Sequence, residues 1–560
     1  MLRVGEYALR LVSDLSSALQ ISLAKLGRNR LLSLTFLACL PLAYQAWLTL
    51  HTPLPYPAIH DEYSMLLGAD TLARGRLSNP PHPLHAHFES PQILVQPAYA
   101  TKYPLAQPAF LAAGQLLVGH PFWGVVFSVC VAVAATAWAS RAITGPGWAF
   151  VSGAAAAVVF GTLHYWVRSY WGGAVIFAGS MFSLGGTLRL VRHQDRRGAW
   201  ALALGLALMF FSRPLEGGML AAGLFVGLLW RFHTRADVSR FWRPICLPLA
   251  LTAAAVALIQ IPLNLAVTGN PWRMPYTEYV RQYQRISPVW ILPPDPRPPV
   301  PIGGSLALHH HEWKGYAELR QAPLNAAFEK LVASFLVLEK NAVNPALLAV
   351  FLLVRGDPVA LHLLVLSLFP LFGFALSVLP LDHYAAPLLA VLWLCQFRVM
   401  ECMQKLRSKG FRIGSFASLV WLALLIAPHA SKASLALLNG WTDANVFVRR
   451  EVAHHFERLP GNHVVFVRRG AEFNLHREWV YNGAEPDSQK VVWLRDLGPL
   501  DNQKAFAYYQ RQGRRFWRVE PEQNVGGGFP RIQPLNPADA ASYSGGGTLS
   551  TPVPPIARAR

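Results

Sequence analysis

Two adjacent carboxylates are the first residues in this sequence able to do chemistry. Asp61 and Glu62 stand in the run Ile59–His60–Asp61–Glu62–Tyr63. Neighbouring carboxylates can divide labour, one as a base and one as a hydrogen-bond partner or metal ligand. Their mutual repulsion would lift one of the two pKa values. The same residue types also cap helix starts, where acidic side chains meet the helix dipole. The spacing leaves both readings open, and with them a divalent ion shared by Asp61 and Glu62.

A second group is cationic. The Pro-interrupted strip HFESPQILVQPAYATKYPLAQ at 87–107 carries one lysine, Lys102, followed by Tyr103. A lysine beside a membrane can meet a lipid phosphate as a point charge, or simply snorkel. Arg213 and Glu216 lie in FSRPLEGG between two apolar runs. Ionisable residues there are costly and mark function, unless they only tie a turn as a pair. His164 and Arg168 sit in LHYWVRSYWGG, an interface belt first and a sugar or phosphate platform second. Leu381–Pro387 holds Asp382, His383 and Tyr384: an acid–base or ligand pair, or a turn with a satisfied histidine. His309–His310–His311 point in different directions and read as a solvated loop.

The elements that must position these residues follow from composition. The 560-residue chain is 53% hydrophobic and 14% charged, and its mean hydropathy is positive. A soluble domain carries about a quarter charged residues. An ordinary soluble enzyme and a disordered chain are thereby excluded. Apolar runs near 31–50, 122–140, 147–163, 173–190, 199–213, 216–230, 244–268, 342–354, 358–380, 384–400 and 411–429 give eleven candidate membrane spans. The net charge of +20 reflects basic connections between spans, not nucleic-acid binding. The five cysteines fall in or beside apolar runs, with no zinc spacing. There is no P-loop, dinucleotide fingerprint, HExxH or CxxC pair.

Charge orients the spans. Arg189, Arg192, Arg196 and Arg197 fill one short connection; Arg231, Arg235, Arg240 and Arg243 another; Arg398, Lys405, Arg407, Lys409 and Arg412 a third. The alternate connections are poor in Lys and Arg. The positive-inside rule places the N-terminus in the cytoplasm and the C-terminus outside. Residues 1–30, with Arg3, Arg10, Lys25, Arg28 and Arg30, read as a cytoplasmic amphipathic segment ahead of an uncleaved first span. A transmembrane domain covers 31–429, with outer loops 51–121 and 269–341. An amphipathic helix is expected near 324–340 in the second loop. A small outer α/β domain follows at 430–524, with helices near 443–458 and 501–512. Its strands are His463–Val467, Val491–Leu494 and Phe516–Val519. The Gly-, Pro- and Ser-rich 525–560 reads as disordered.

The run from Asp61–Glu62 through GADTLARGRLSNPPHP, HFES and YATKYPLAQ resembles the GT-C glycosyltransferase superfamily. These are polytopic membrane enzymes that take sugars from polyprenyl-phosphate carriers. Protein O-mannosyltransferases and the lipid A aminoarabinose transferase belong to it. The first 230 residues carry the likeness best, and the many-span plan extends it to about 430. Bacterial members share the Ser-Arg-Pro-x-Glu-Gly turn, an outer His-Tyr-x-x-Pro turn and a C-terminal soluble domain. Members often show Lys-Pro-Pro; here Lys102–Tyr103–Pro104 stands in its place. Many also carry a second acidic group in the next outer loop, where this chain offers His164 and Arg168.

The resemblance implies an inverting transfer in a bacterial inner membrane, from a polyprenyl-phosphate sugar to an extracytoplasmic lipid, glycan or protein. Asp61 becomes the base, with a pKa raised above the ~4 of an ordinary carboxylate. Glu62 positions it or shares an ion with it. Lys102 and Arg213 neutralise the leaving phosphate. Tyr103, Glu216, His164, Arg168, His383 and Tyr384 line the substrate. No other cofactor is implied. A carrier or flippase for lipid-linked sugars and a non-catalytic envelope protein are the competing classes.

Overall fold

The computed structural model describes residues 22–232, 238–284, 286–294, 313–344, 357–379, 381–407, 413–439, 447–470, 476, 478–521 and 530–536. The segment before 22, the His309–His311 run, most of the span at 342–354 and the tail beyond 536 lie outside the described residues. The chain divides into two compact units. One comprises Met1–Pro81, Ser90–Phe447 and Leu475–Glu478; the other comprises His82–Glu89, Val448–Asn474 and Trp479–Arg560.

The larger unit is helical. In order it contains α1 (Arg30–His51), α2 (His60–Ala73), α3 (Ala106–Val118), α4 (Phe122–Ser140), α5 (Pro146–Gly161) and α6 (Ala174–Leu188). Then come α7 (Arg197–Phe210), α8 (Pro214–Phe232), α9 (Val238–Thr268), α10 (Pro275–Tyr283), α11 (Pro323–Lys340), α12 (Pro358–Leu376), α13 (Ala386–Met403) and α14 (Ile413–Asn439). Among the described residues seven stretches are long and apolar enough to cross a membrane: α1, α4, Ala174–His193, Pro244–Thr268, α12, α13 and α14. The expected spans at 147–163 and 199–213 form the shorter apolar helices α5 and α7. Leu37, Val129, Phe160, Trp166 and Trp393 belong to one continuous core. Elsewhere large apolar side chains are bare, with Leu258 76% and Trp230 75% exposed. Faces of that kind suit lipid better than water.

The segment 51–121, expected as an outer loop, contains the apolar helix α3. At 13 residues α3 is about 20 Å long, too short for a hydrocarbon core of roughly 30 Å. It packs between α2 and α4. Its crossing with α4 is made by glycines: a Cβ on Gly124 would lie 1.9 Å from the Phe110 carbonyl oxygen, and one on Gly114 would lie 2.1 Å from Gly124 N. Gly68 does the same for α2, where a Cβ would meet Thr101 Cγ2 at 2.8 Å. Thr101 is on the short hairpin of β1 (Ile93–Leu94) and β2 (Ala100–Thr101), paired Ile93 to Thr101 and Leu94 to Ala100. Close packing thus carries from α4 to α3 and α2, and from α2 to the strip that bears Lys102.

The smaller unit is a four-stranded sheet in the order β4-β3-β5-β6, with helices α15 (Phe447–Arg458) and α16 (Pro499–Gln510). β3 (His463–Val467) lies parallel to β4 (Val491–Arg495) and to β5 (Arg515–Glu520). All five residues of β3 and of β4 are buried, the pattern of parallel strands covered on both faces. β6 (Arg531–Leu535) pairs antiparallel with β5. That strand corrects the expectation of disorder from 525 onward. Its Pro534 suppresses the strand signal in sequence, yet proline is tolerated on an edge strand. A piece of the first connection also belongs to this unit. His85–Phe88 forms a 3₁₀ turn against β4. His87 Nδ1 lies 2.9 Å from the Arg495 carbonyl oxygen, and Glu89 accepts a hydrogen bond from the Arg495 guanidinium.

The glycine crossing gives a direct test. Gly124→Val should cost about 1–3 kcal/mol or more, since backbone atoms face the new side chain and cannot yield. Gly218→Ala, in helix α8 with nothing within 4 Å, should be neutral or stabilising by up to about 1 kcal/mol, since alanine is the better helix former. Thermal melting of the two purified variants in detergent distinguishes them.

Candidate active site

The site grows from the first turn of α2. The chain enters extended at Ile59 and turns helical at His60, placing Asp61 and Glu62 in the first turn. Both are buried, but they face different partners. Glu62 Oε1 accepts from the Ala58 amide at 3.2 Å, and Oε2 from the Tyr170 amide at 3.0 Å. Glu62 therefore holds the chain just before α2 through the Ala58 amide and ties the start of α2 to the segment after α5. Asp61 Oδ1 accepts the Tyr103 hydroxyl hydrogen bond. Its Oδ2 lies 2.8 Å from His60 Nδ1, and the His60 ring stacks on His476 at 5.6 Å.

This arrangement reverses the expected pKa of Asp61. Burial pushes the carboxyl up. The adjoining His60, the Tyr103 hydroxyl and the Lys102 charge outweigh that and hold it well below the usual carboxylate range. Repulsion from Glu62 and desolvation are the two bases of the expected rise; burial does act upward, but Glu62 is turned onto backbone amides. The two carboxylates do not share a face for one ion. Among the described residues no group of three or more His, Cys, Asp and Glu is arranged to hold a metal. Tyr103 keeps its proton, because burial and the Asp61 charge push the phenol far up.

Lys102 is buried in a cage of tyrosine rings. Its Nζ lies 4.6 Å from the centre of Tyr279, 4.7 Å from Tyr276 and 5.2 Å from Tyr103. Such contacts are worth about 0.5–2 kcal/mol each, most where water is excluded. The strip is pinned at Gln92, which holds the left-handed φ of 69°. Its amide donates to the Tyr279 hydroxyl at 2.8 Å. Its carbonyl accepts from the Ser64 hydroxyl at 2.6 Å and from the Lys102 amide at 3.3 Å. One residue thereby locks α2, the lysine strip and α10 together.

Arg213 stands at the α7–α8 turn. Its guanidinium carbon is 4.1 Å from the centre of the Tyr384 ring, and Nη1 is 3.9 Å from Glu216 Oε1. Tyr384 and His383 come from the turn before α13, and the Ala106 amide in turn donates to the Phe211 carbonyl at 2.8 Å. Asp61 and Arg213 are both within electrostatic reach of His383 and Tyr384, and Tyr103 of Arg213, so the structure gathers Asp61, Tyr103, Lys102, Arg213, Glu216, His383 and Tyr384 into one charged, aromatic cluster. Three other residues are engaged differently. His164 Nδ1 accepts from the Trp166 amide at 3.1 Å, and Nε2 pairs with Asn341 Oδ1 at 2.8 Å. Arg168 ends the single turn Tyr165–Arg168 with its guanidinium 5.9 Å from the Phe122 ring. Asp382 Oδ2 pairs with Lys340 Nζ at 2.7 Å, so Asp382 and His383 are not an acid–base pair.

Sequence reasoning left His60, Tyr165, Tyr276 and Tyr279 without roles. A signal existed for the cage: Tyr276, Tyr279 and Tyr283 recur at the spacing of one face of a helix.

No protein-family model matches the chain, and no curated protein matches it. Solved structures similar to it include ArnT from Cupriavidus metallidurans in the apo state, with a TM-score of 0.49 and 14% identity over 86% of this chain and 92% of that chain. The same ArnT bound to undecaprenyl phosphate gives a TM-score of 0.44 and 11% identity over 87% and 92%. The Archaeoglobus fulgidus oligosaccharyltransferase tethered with an acceptor peptide gives 0.46 and 11% over 88% and 68%.

The buried histidines set an acid limit on stability. Burial pushes His164 down to about 3 and His383 well below the ordinary value near 6.5. The unfolded chain takes up these protons first. Their contribution is whole above pH ~6.5 and is lost as pH falls, by up to about 1.4 kcal/mol per pH unit for each. His164→Gln should melt lower than the parent at pH 7.5 but lose less stability between pH 7.5 and 5, as read by melting curves in detergent.

Proposed function

We propose that this chain is an inverting glycosyltransferase that moves a sugar from a polyprenyl-phosphate carrier to an acceptor hydroxyl at the extracytoplasmic side of a bacterial inner membrane. The observation that carries the reading is one buried carboxylate, Asp61, held ionised and gathered with two cations, Lys102 and Arg213. A base next to an anion-binding pair is what displacement of a lipid phosphate from an anomeric carbon requires. The resemblance of the Asp61–Lys102 run to GT-C enzymes supports the same reaction.

In this mechanism the acceptor hydroxyl takes the place of the Tyr103 hydroxyl on Asp61 Oδ1. That exchange removes one of the hydrogen bonds depressing the carboxyl and restores some of its basicity. As the acceptor oxygen attacks, Asp61 takes its proton. The bond from the anomeric carbon to the phosphate oxygen breaks through an oxocarbenium-like state. The electron pair leaves with the phosphate, where Lys102 and Arg213 meet the growing charge. Neutralisation by fixed cations makes a separate general acid unnecessary. Glu62 acts at one remove, by fixing the turn that carries Asp61. No step uses a metal, because Asp61 and Glu62 face different partners.

Eleven spans with the N-terminus inside complete the proposal. They leave the site, α10, α11 and the C-terminal α/β domain, β6 included, on the outer side. A reporter active only in the periplasm, fused after Arg560, should be active; activity from a cytoplasmic reporter alone refutes this orientation.

Asp61→Asn should abolish transfer while keeping affinity for the lipid phosphate. Lys102→Ala should lose about 2–4 kcal/mol of transition-state stabilisation, roughly 30- to 1,000-fold in kcat/KM. Because Asp61 in the free protein is ionised well below the usual carboxylate range, its acid limb in kcat/KM should not be seen above pH ~4. Transfer assays with purified variants test all three. Full turnover by Asp61→Asn would remove the base, and unchanged lipid transport in that variant would favour a carrier.

A further inference from the structure

His383 is a buried side chain with unfinished hydrogen bonding. It is 1% exposed, and among the described residues its Nε2 has no hydrogen-bond partner. A buried polar atom without a partner asks for a physical explanation, and the surroundings of this one supply it. The ring is walled by Trp171 at 4.4 Å and Tyr384 at 4.7 Å between centroids. It lies within electrostatic reach of Arg213 and Asp61.

The other ring nitrogen is engaged. His383 Nδ1 is 3.0 Å from the Tyr165 hydroxyl. Burial, then the Asp382 charge, pushes the Tyr165 phenol well up, so the hydroxyl keeps its proton and can give it to Nδ1. Burial and Arg213 hold His383 neutral. A neutral imidazole that accepts at Nδ1 carries its hydrogen on Nε2. Asp382 does not compete for the ring, because it is paired with Lys340. The unpaired atom is therefore a donor, next in sequence to the tyrosine on which Arg213 stacks. A fixed N–H beside a guanidinium suits an anionic oxygen.

We propose that Tyr165 is a positioning residue that holds His383 as the Nε2–H tautomer, so that Nε2 donates a hydrogen bond to a phosphate oxygen of the lipid carrier beside Arg213. This rests on the glycosyl-transfer reading of the cluster, and it adds the third donor to the phosphate and the residue that aims it. His383 is not an acid in this role. Its proton stays on the ring, and the bond is formed to the bound phosphate before and during departure.

The test is binding of undecaprenyl phosphate alone, without sugar, to the full-length protein in nanodiscs. His383→Ala and Tyr165→Phe should each weaken binding by about ten-fold, as expected for a lost hydrogen bond to a charged group. His383→Gln keeps an N–H donor that needs no tautomer. It should retain most of the affinity, and adding Tyr165→Phe to it should cost nothing more. An equal loss from Tyr165→Phe in both backgrounds would make the tyrosine merely structural and overturn the proposal. Binding that depends on Lys102 but ignores His383→Ala and Tyr165→Phe would overturn it while leaving the glycosyl-transfer reading intact. Weakened binding of a sugar-bearing donor, with bare undecaprenyl phosphate unaffected, would move the contact to the sugar and also overturn it. No binding by the parent protein would overturn both readings together.

Discussion

The buried Asp61 carboxylate, held by Tyr103 and His60, is the contact on which the rest of the site depends. A carboxylate taken out of water is costly unless donors and opposite charge surround it. Meeting that demand fixes α2 to the strip that carries Lys102, because Tyr103 follows Lys102 directly. The remaining parts assemble around this constraint. Gln92 locks the strip to α10. The Ala106 amide on the Phe211 carbonyl brings the start of α3 to the Arg213 turn. Glycines at the α2 and α3 crossings remove the space that would let these pieces drift.

Much of the cluster can be read from residue types alone. Asp61, Lys102 and Arg213 stand out because charge is scarce in this chain, and an ionisable residue beside an apolar run is conspicuous wherever it falls. The smaller unit is equally readable, since parallel strands buried on both faces show as continuous apolar runs. What the sequence hides is direction. Asp61 and Glu62 are adjacent letters, yet one turn of helix sends them to different partners, and the pKa argument built on their adjacency reverses. His164 looks like a substrate residue among aromatics, yet one ring nitrogen caps its own turn and the other ties it to Asn341. The cage around Lys102 is assembled from residues 103, 276 and 279. Only the fold brings such separations together. β6 is obscured for a different reason: its proline and the glycines before it read as a break.

The aromatic residues divide into two kinds of work. Trp166, Phe160 and Trp393 are packed together as core, with Phe160 and Trp166 stacked at 4.8 Å. The tyrosines of the cluster instead face charges. Tyr103 donates to a carboxylate, Tyr276 and Tyr279 present ring faces to an ammonium, and Tyr384 stacks on a guanidinium. Tyrosine suits this because one end excludes water while the other makes a directed hydrogen bond. The result is a buried aromatic surrounding in which fixed charges act at lowered dielectric.

The joining of His82–Glu89 to the C-terminal sheet has a consequence for how the protein is made. Glu89 and Arg495 are 406 residues apart, and both are buried in the finished unit. At synthesis rates of about 5–20 residues per second, the turn waits on the order of 20–80 s for its sheet. Throughout that interval Glu89 has no Arg495, and the polar turn must remain hydrated while later helices enter the membrane. The smaller unit is therefore completed last, and nothing synthesised before β4 can close it. A chain truncated ahead of residue 491 lacks both β4 and Arg495, so neither the strand against which His85–Phe88 packs nor the guanidinium on Glu89 is ever supplied.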